Sequence, residues 1–195
     1  MSDTLIEPDA ADAKATVLEL DELWSFVLKK TNQAWIWIAL CRKTRQVVAY
    51  AVGDRSEQTC HRLWEAIPAA YRIGQCYTDF WVVYRAVIPE EQHTAVGKES
   101  GETAHIERWN NTLRQRLARF VRKTLSFSKS MVMHNICLNL FLHRYNCCRG
   151  SPCFPEPLPL LSSFWRSGMM TQTRGGAKRE RLSQTQSVFR LVYES

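Results

Sequence analysis

No stretch of the 195-residue chain approaches the roughly 20 consecutive apolar residues that a membrane-spanning helix needs, and the N-terminus lacks the basic and apolar regions of a secretory signal. A membrane span is excluded on that reading, and the expected setting is the cytoplasm. A disulfide framework is missing as well. The seven cysteines (Cys41, Cys60, Cys76, Cys137, Cys147, Cys148 and Cys153) are odd in number and irregularly spaced, which suits reduced thiols. Cys147, Cys148 and Cys153 lack the paired C-x-x-C spacing of structural zinc and have no fitting fourth ligand. Acidic residues are absent from the whole stretch between Arg108 and Pro155, and no internal repeat is visible.

What remains is the composition of a folded protein. Hydrophobic residues make up 45% of the chain, with seven Trp and eight Phe, far above what a disordered chain carries. The length suits one domain with tails. The formal charge is +7, and the acid-free stretch concentrates it in Arg108, Arg114, Arg116, Arg119, Arg122, Lys123, Lys129, Arg144 and Arg149. A one-signed field of this kind favours a polyanion, nucleic acid being the commonest. On charge alone a solvated basic face is an equal alternative.

Residues 1–15 are small, polar and acidic and read as a flexible leader. From Thr16 the pattern Val17, Leu18, Leu20, Leu23, Trp24, Phe26, Val27 predicts a strand carrying Asp21. Lys29 to Gln33 reads as a turn, and Ala34–Cys41 and Gln46–Val52 as two further strands of a meander. Ser56 is placed to cap a helix that runs to Pro68. Gln75–Asp79 predicts a short strand, Phe80–Val87 a short helix, and Gln92–Val96 another strand. Gly101 opens the longest helical pattern, with Ile106, Trp109, Leu113, Leu117 and Phe120 inward and arginines opposite. Met131–Asn146 predicts a last helix with Ile136, Leu140 and Phe141 inward. From 147 to 195 the chain is first Pro-rich and then basic without sustained period, and reads as a poorly ordered tail.

The resulting order, βββαβαβα, is an α/β chain with a five-stranded mixed sheet flanked by helices. If its first and fourth strands are neighbours, Asp21 and Asp79 lie side by side, and the long helix brings Glu107 over them. Three converging carboxylates repel one another unless cations neutralise them, and hard oxygen donors select magnesium or manganese. Two such ions suit phosphodiester cutting and joining. Arg114, seven residues after Glu107, shares nearly the same helix face and is placed to reach a phosphate. Asn110, one turn after Glu107, is placed to touch the same region or to orient the carboxylate.

The runs Glu19-Leu20-Asp21-Glu22-Leu23-Trp24, Tyr77-Thr78-Asp79 and His105-Ile106-Glu107-Arg108-Trp109-Asn110-Asn111, followed by Leu113-Arg114-Gln115-Arg116, closely resemble transposases of the insertion-sequence-one family of bacteria. The resemblance spans about Thr16 to Asn146. It implies a ribonuclease-H-like catalytic domain over 16–146 and a DDE-type enzyme that cuts element ends and transfers 3′-hydroxyls to target DNA. Asp21, Asp79 and Glu107 take the metal-ligand roles with two Mg²⁺ or Mn²⁺ ions, and Arg114 takes that of the basic residue seven positions beyond the glutamate. Asn110, Arg114, Arg116, Arg119, Arg122 and Lys123 are the expected DNA contacts. The implied partners are double-stranded DNA, further copies of the chain, since two ends must be brought together, and a separate or fused N-terminal DNA-binding part. Nucleoid association follows from the same expectation. The alternative function is a non-catalytic, DNA-binding regulator of transposition.

Overall fold

The computed structural model describes residues 4–9 and 13–150. Three strands come first: β1 (Val17–Val27), β2 (Lys29–Cys41) and β3 (Val47–Gly53). There follow α1 (Glu57–Ala66), β4 (Gln75–Thr78), α2 (Val82–Val87), β5 (His93–Ala95), α3 (Ala104–Arg116) and α4 (Met131–Gly150). They build one mixed five-stranded sheet of order β3-β2-β1-β4-β5. The first three strands form an antiparallel meander, whereas β4 runs parallel to β1 and β5 parallel to β4. This is the five-stranded mixed α/β sheet that the order of elements predicts, and it is consistent with the ribonuclease-H-like fold that the resemblance implies.

Alternation along β1 separates two cores. Leu18 and Leu20 pack with Trp37, Leu63 and Tyr84 beneath α1 and α2. Leu23 packs with Ile36, Ile38, Ile106, Trp109 and Leu113 beneath α3 and α4. By the same parity Glu19 and Asp21 lie on the α3 face and Glu22 on the α1 face. Entry of β4 beside β1 depends on Gly74, because a Cβ there would run into the carbonyl oxygen of Thr16, which accepts the Gln75 N–H at 3.0 Å.

The Lys29–Gln33 segment is not a turn. It is exposed strand continuing β2, paired as far as Val27↔Lys29, and the chain reverses at Leu28 with φ 66°. Its polar residues stay extended because they pair with β1, whose end is buried and held by Ser128, with the Leu28 N–H donating to the Ser128 carbonyl at 2.8 Å.

Two helices also differ from expectation. α3 stops at Arg116, and Phe120 reaches the core from a short 3-10 turn, Ala118–Phe120. α4 continues to Gly150 and buries His134, Leu138, Leu142 and Asn146, while Ile136 and Leu140 face solvent and Phe141 is half-buried. Asn146 explains that orientation: its side chain accepts the Val47 N–H at 2.9 Å and donates to the Val47 carbonyl at 2.8 Å, docking α4 on the edge strand β3.

Within the expected leader, Thr4 and Ile6 hydrogen-bond to the fully buried Gln46 side chain, at 2.7 and 2.9 Å. The expected tail, beyond the end of α4 and including Cys153, lies outside the described residues.

Candidate active site

The parallel ladder pairs Val17 with Gln75, Leu18 with Cys76 and Glu19 with Tyr77. Continuing that register two residues places Asp79 beside Asp21 at the C-terminal end of β4, and in open α/β sheets ligands bind outside the carboxyl ends of strands. Ligand atoms of Asp21, Asp79 and Glu22 all lie within 4.8 Å of one another. They open into a cleft of about 370 Å³ whose lining also includes Glu107, Asn110 and Arg114 of α3.

α3 is held over the sheet by an acid that sequence reasoning left aside. Glu19 is fully buried on β1, and one of its oxygens accepts the backbone N–H groups of His105 and Ile106, at 3.1 and 3.0 Å. The other oxygen accepts Arg42 Nε at 2.8 Å and lies 2.6 Å from His105 Nδ1. A carboxylate set against the first N–H groups of a helix satisfies donors with no intrahelical partner and complements the helix dipole. Arg42 also pairs with Glu102, just before α3, at 2.7 Å. Thus Glu19, two residues from Asp21 on the same strand face, sets the start of α3 and with it the position of Glu107.

The acids of the cleft differ in their surroundings. Asp21 accepts the Glu22 N–H at 2.8 Å and Asn110 Nδ2 at 2.6 Å. Burial, followed by the charge of Glu22 and more weakly by Asp79 and Glu107, pushes its carboxyl up to about 7. Three neighbouring acids acting together on one buried carboxyl leave it short of positive charge. Glu22 is already compensated. Arg55 Nε donates to it at 2.9 Å, a second Arg55 nitrogen bonds the same oxygen, and the Tyr84 hydroxyl donates to the other at 2.8 Å. Arg55 itself stacks 3.3 Å over the Trp81 ring. Burial still holds the Glu22 carboxyl above its ordinary value. Glu107 is exposed on α3 and lines the same cleft, outside the close group formed by Asp21, Glu22 and Asp79.

Oxygen donors alone, crowded and partly buried, are the set that divalent magnesium or manganese takes. The chain matches the IS1 transposase family over residues 15–147. It belongs to that family. It is 40% identical over 131 residues to the insertion element iso-IS1n protein InsB of Shigella dysenteriae, covering 67% of this chain and 97% of that one. The insertion element IS1 protein InsB of Shigella flexneri is 38% identical over 125 residues, 64% of this chain and 92% of its own. An InsB protein of Escherichia coli K12, of insertion element IS1 4, is 36% identical over 125 residues, 64% of this chain and 72% of its own.

In this IS1-family chain the expected site residues fall into two groups. Asp21, Asp79, Glu107, Asn110, Arg114 and Arg122 line one cleft. The amide of Asn110 is spent on Asp21, so its observed contact is with the carboxylate. Arg114 is half-buried, and burial and the neighbouring Arg122 charge lower its pKa while Asp21 works against them. Arg116 lies away from this cleft, in a groove with Leu140 and Arg144. Arg119 bears on His134, and Lys123 is exposed. Glu19 and the Glu22–Arg55–Tyr84 cluster were missed. The signal for Glu19 was strand parity, since it shares a face with Asp21; contacts 33 and 62 residues away in sequence carry no such local mark.

Among the described residues no helix is long and apolar enough to cross a membrane.

Proposed function

We propose that this chain is the catalytic part of a DDE-type DNA transposase, its domain spanning 16–146, with Asp21, Asp79 and Glu107 holding two magnesium or manganese ions. The reading is supported by the closeness of Asp21 and Asp79, with Glu107 on the wall of the same cleft, where burial and like charge push Asp21 up to about 7. When bound, two such ions activate an attacking water or DNA 3′-hydroxyl and stabilise the leaving oxygen of the phosphodiester.

The chain's own residues supply position and field. Asn110 and the Glu22 N–H fix the two oxygens of Asp21, and Glu19 fixes the helix that presents Glu107. Arg55 and Tyr84 occupy both oxygens of Glu22, leaving Glu107 as the third ligand. Arg114 and Arg122, at the same cleft, form no ion pair with a described residue and attract the phosphate whose charge the acids would otherwise repel. Under this reading the partners are duplex DNA of element ends and target, further copies of the chain, and an N-terminal DNA-binding part, all at the bacterial nucleoid.

The test is manganese-dependent cleavage and strand transfer on a labelled duplex carrying element ends, with an N-terminal DNA-binding half supplied. Asp21→Ala, Asp79→Ala and Glu107→Ala each reduce joined products to background while the fold persists. Activity near that of the parent in any one of them overturns the assignment. Loss in Glu22→Gln with retention in Glu107→Gln would hand the third ligand position to Glu22.

A further inference from the structure

A second, smaller pocket opens on the other side of α3 and has no part in the cleft chemistry. It holds about 190 Å³ between the β2–β3 turn, α3 and the end of α4, and its lining includes Arg45, Arg108, Arg149, Trp109 and Thr112. Three guanidinium groups meet there without any acid in the lining, and none forms an ion pair with a described residue. Two buried donors in this lining are unmatched among the described residues: Nη1 of Arg45 and the indole Nε1 of Trp109, a residue only 2% exposed. Buried donors without acceptors are costly, so their joint presence beside three cations calls for an anion with several acceptor oxygens.

We infer that this pocket is a phosphate-binding site, separate from the acidic cleft, that holds a backbone phosphate of the DNA. The volume is well below the roughly 300–1,000 Å³ of small-molecule sites, which suits one phosphate group rather than a whole nucleotide. Arginine is suited to the task because its planar fork donates two parallel hydrogen bonds to phosphate oxygens. Arg149 is steadied by the Tyr145 ring, 5.3 Å below it, and that ring meets Trp109 edge-on at 6.1 Å.

Helix geometry relates the two sites. At about 100° per residue, the α3 residues lining the cleft (Glu107, Asn110, Arg114) and those lining the pocket (Arg108, Trp109, Thr112) project from roughly opposite flanks, about 10 Å apart across the helix. A strand whose scissile phosphate lies in the cleft crosses α3 and is gripped on its far side. The pocket therefore positions DNA and takes no part in bond breaking. Only the source of the phosphate rests on the transposase reading; the anion site stands without it.

The experiment uses the full chain and its Arg108→Gln, Arg149→Gln and Trp109→Phe variants, with Arg85→Gln, an exposed side chain of α2 away from the pocket, as control. In one arm, inorganic phosphate is compared with chloride at equal ionic strength; phosphate at tenfold over its Kd raises Tm by about 3 to 5 °C in the parent and control. That gain shrinks in the three variants. In the other arm, binding of a random duplex is followed against salt; each arginine variant weakens it whatever the sequence and lowers the salt slope by about 0.9. Manganese-induced stabilisation, a property of the cleft, stays at the parent level in all of them. Phosphate no better than chloride, with unchanged duplex binding, overturns the site. Phosphate stabilisation with unaltered duplex binding and slope overturns its assignment to DNA and leaves a free-phosphate site.

Discussion

Replacing Asp21 by Asn stabilises the metal-free protein and destroys its activity, and the gain depends on pH in a calculable way. The Asp21 carboxyl is pushed from 3.8 to about 7, first by burial and then by Glu22, Asp79 and Glu107. A folded-state pKa above the unfolded one means that the folded chain holds a proton which the unfolded chain releases. Stability is therefore unaffected below about pH 4, falls as pH rises through the window, and carries the full cost above about pH 7. A rise from 3.8 to about 7 corresponds to about 4 kcal/mol. Asparagine is isosteric and neutral, and both hydrogen bonds survive: Asn110, whose Oδ1 has no partner, can turn its amide and accept where it now donates. Urea or thermal melts in chelator, run on parent and Asp21→Asn, show no difference near about pH 4 and a gap of up to about 4 kcal/mol, on the order of 10 °C, near about pH 8. Magnesium or manganese closes that gap by stabilising the parent alone. A difference that stays flat across this pH range, or that metal leaves untouched, refutes the reasoning.

Glu19→Ala leaves Arg42 and two α3 N–H groups without their buried acceptor and costs about 3–5 kcal/mol in denaturant melts. Glu19→Gln costs less and lowers strand transfer without abolishing it, because α3 loses its charged anchor and not its ligand. His134 is buried, and burial pushes it down to about 4, so between about pH 6.5 and 4 the unfolded chain takes up a proton that the folded one refuses. Stability falls with pH in that window by up to about 3 kcal/mol, and urea melts of His134→Gln lack this part of the slope. Leu28 is exposed with φ 66°, a conformation that costs a branched residue about 1 kcal/mol, so Leu28→Asn raises the midpoint of thermal unfolding. A lowered midpoint would show that the Leu28 side chain contributes packing that outweighs its backbone.

The order of elements was legible because β1 carries an acid amid apolar alternation and β4 is a short strand ending in another; the sheet order was not, and it is the observed adjacency of β1 and β4 that sets Asp21 beside Asp79. α3 announced itself through Ile106, Trp109 and Leu113, which placed Glu107 on its flank. Strand parity put Glu19 on the face of Asp21 but could not mark it as an anchor, since an acid on a strand looks the same whether it faces water or a helix terminus. α4 carries two stripes at a spacing of four, Val132, Ile136, Leu140 and His134, Leu138, Leu142, and the more apolar one is the exposed one. Periodicity could not choose between them; the buried pairing of Asn146 with Val47, far apart in the chain, does. Lys29–Gln33 looked like a turn because it is polar, yet a strand at the open end of a hairpin can be just as exposed.

Anomalous diffraction from crystals grown with manganese tests the central claim most directly. Two manganese peaks, about 3.5 to 4 Å apart, are expected in the cleft between Asp21, Asp79 and Glu107, with Glu22 still paired to Arg55 and Tyr84. Manganese that binds through Glu22 with Glu107 turned away, or that leaves the cleft empty while occupying other sites, would contradict it.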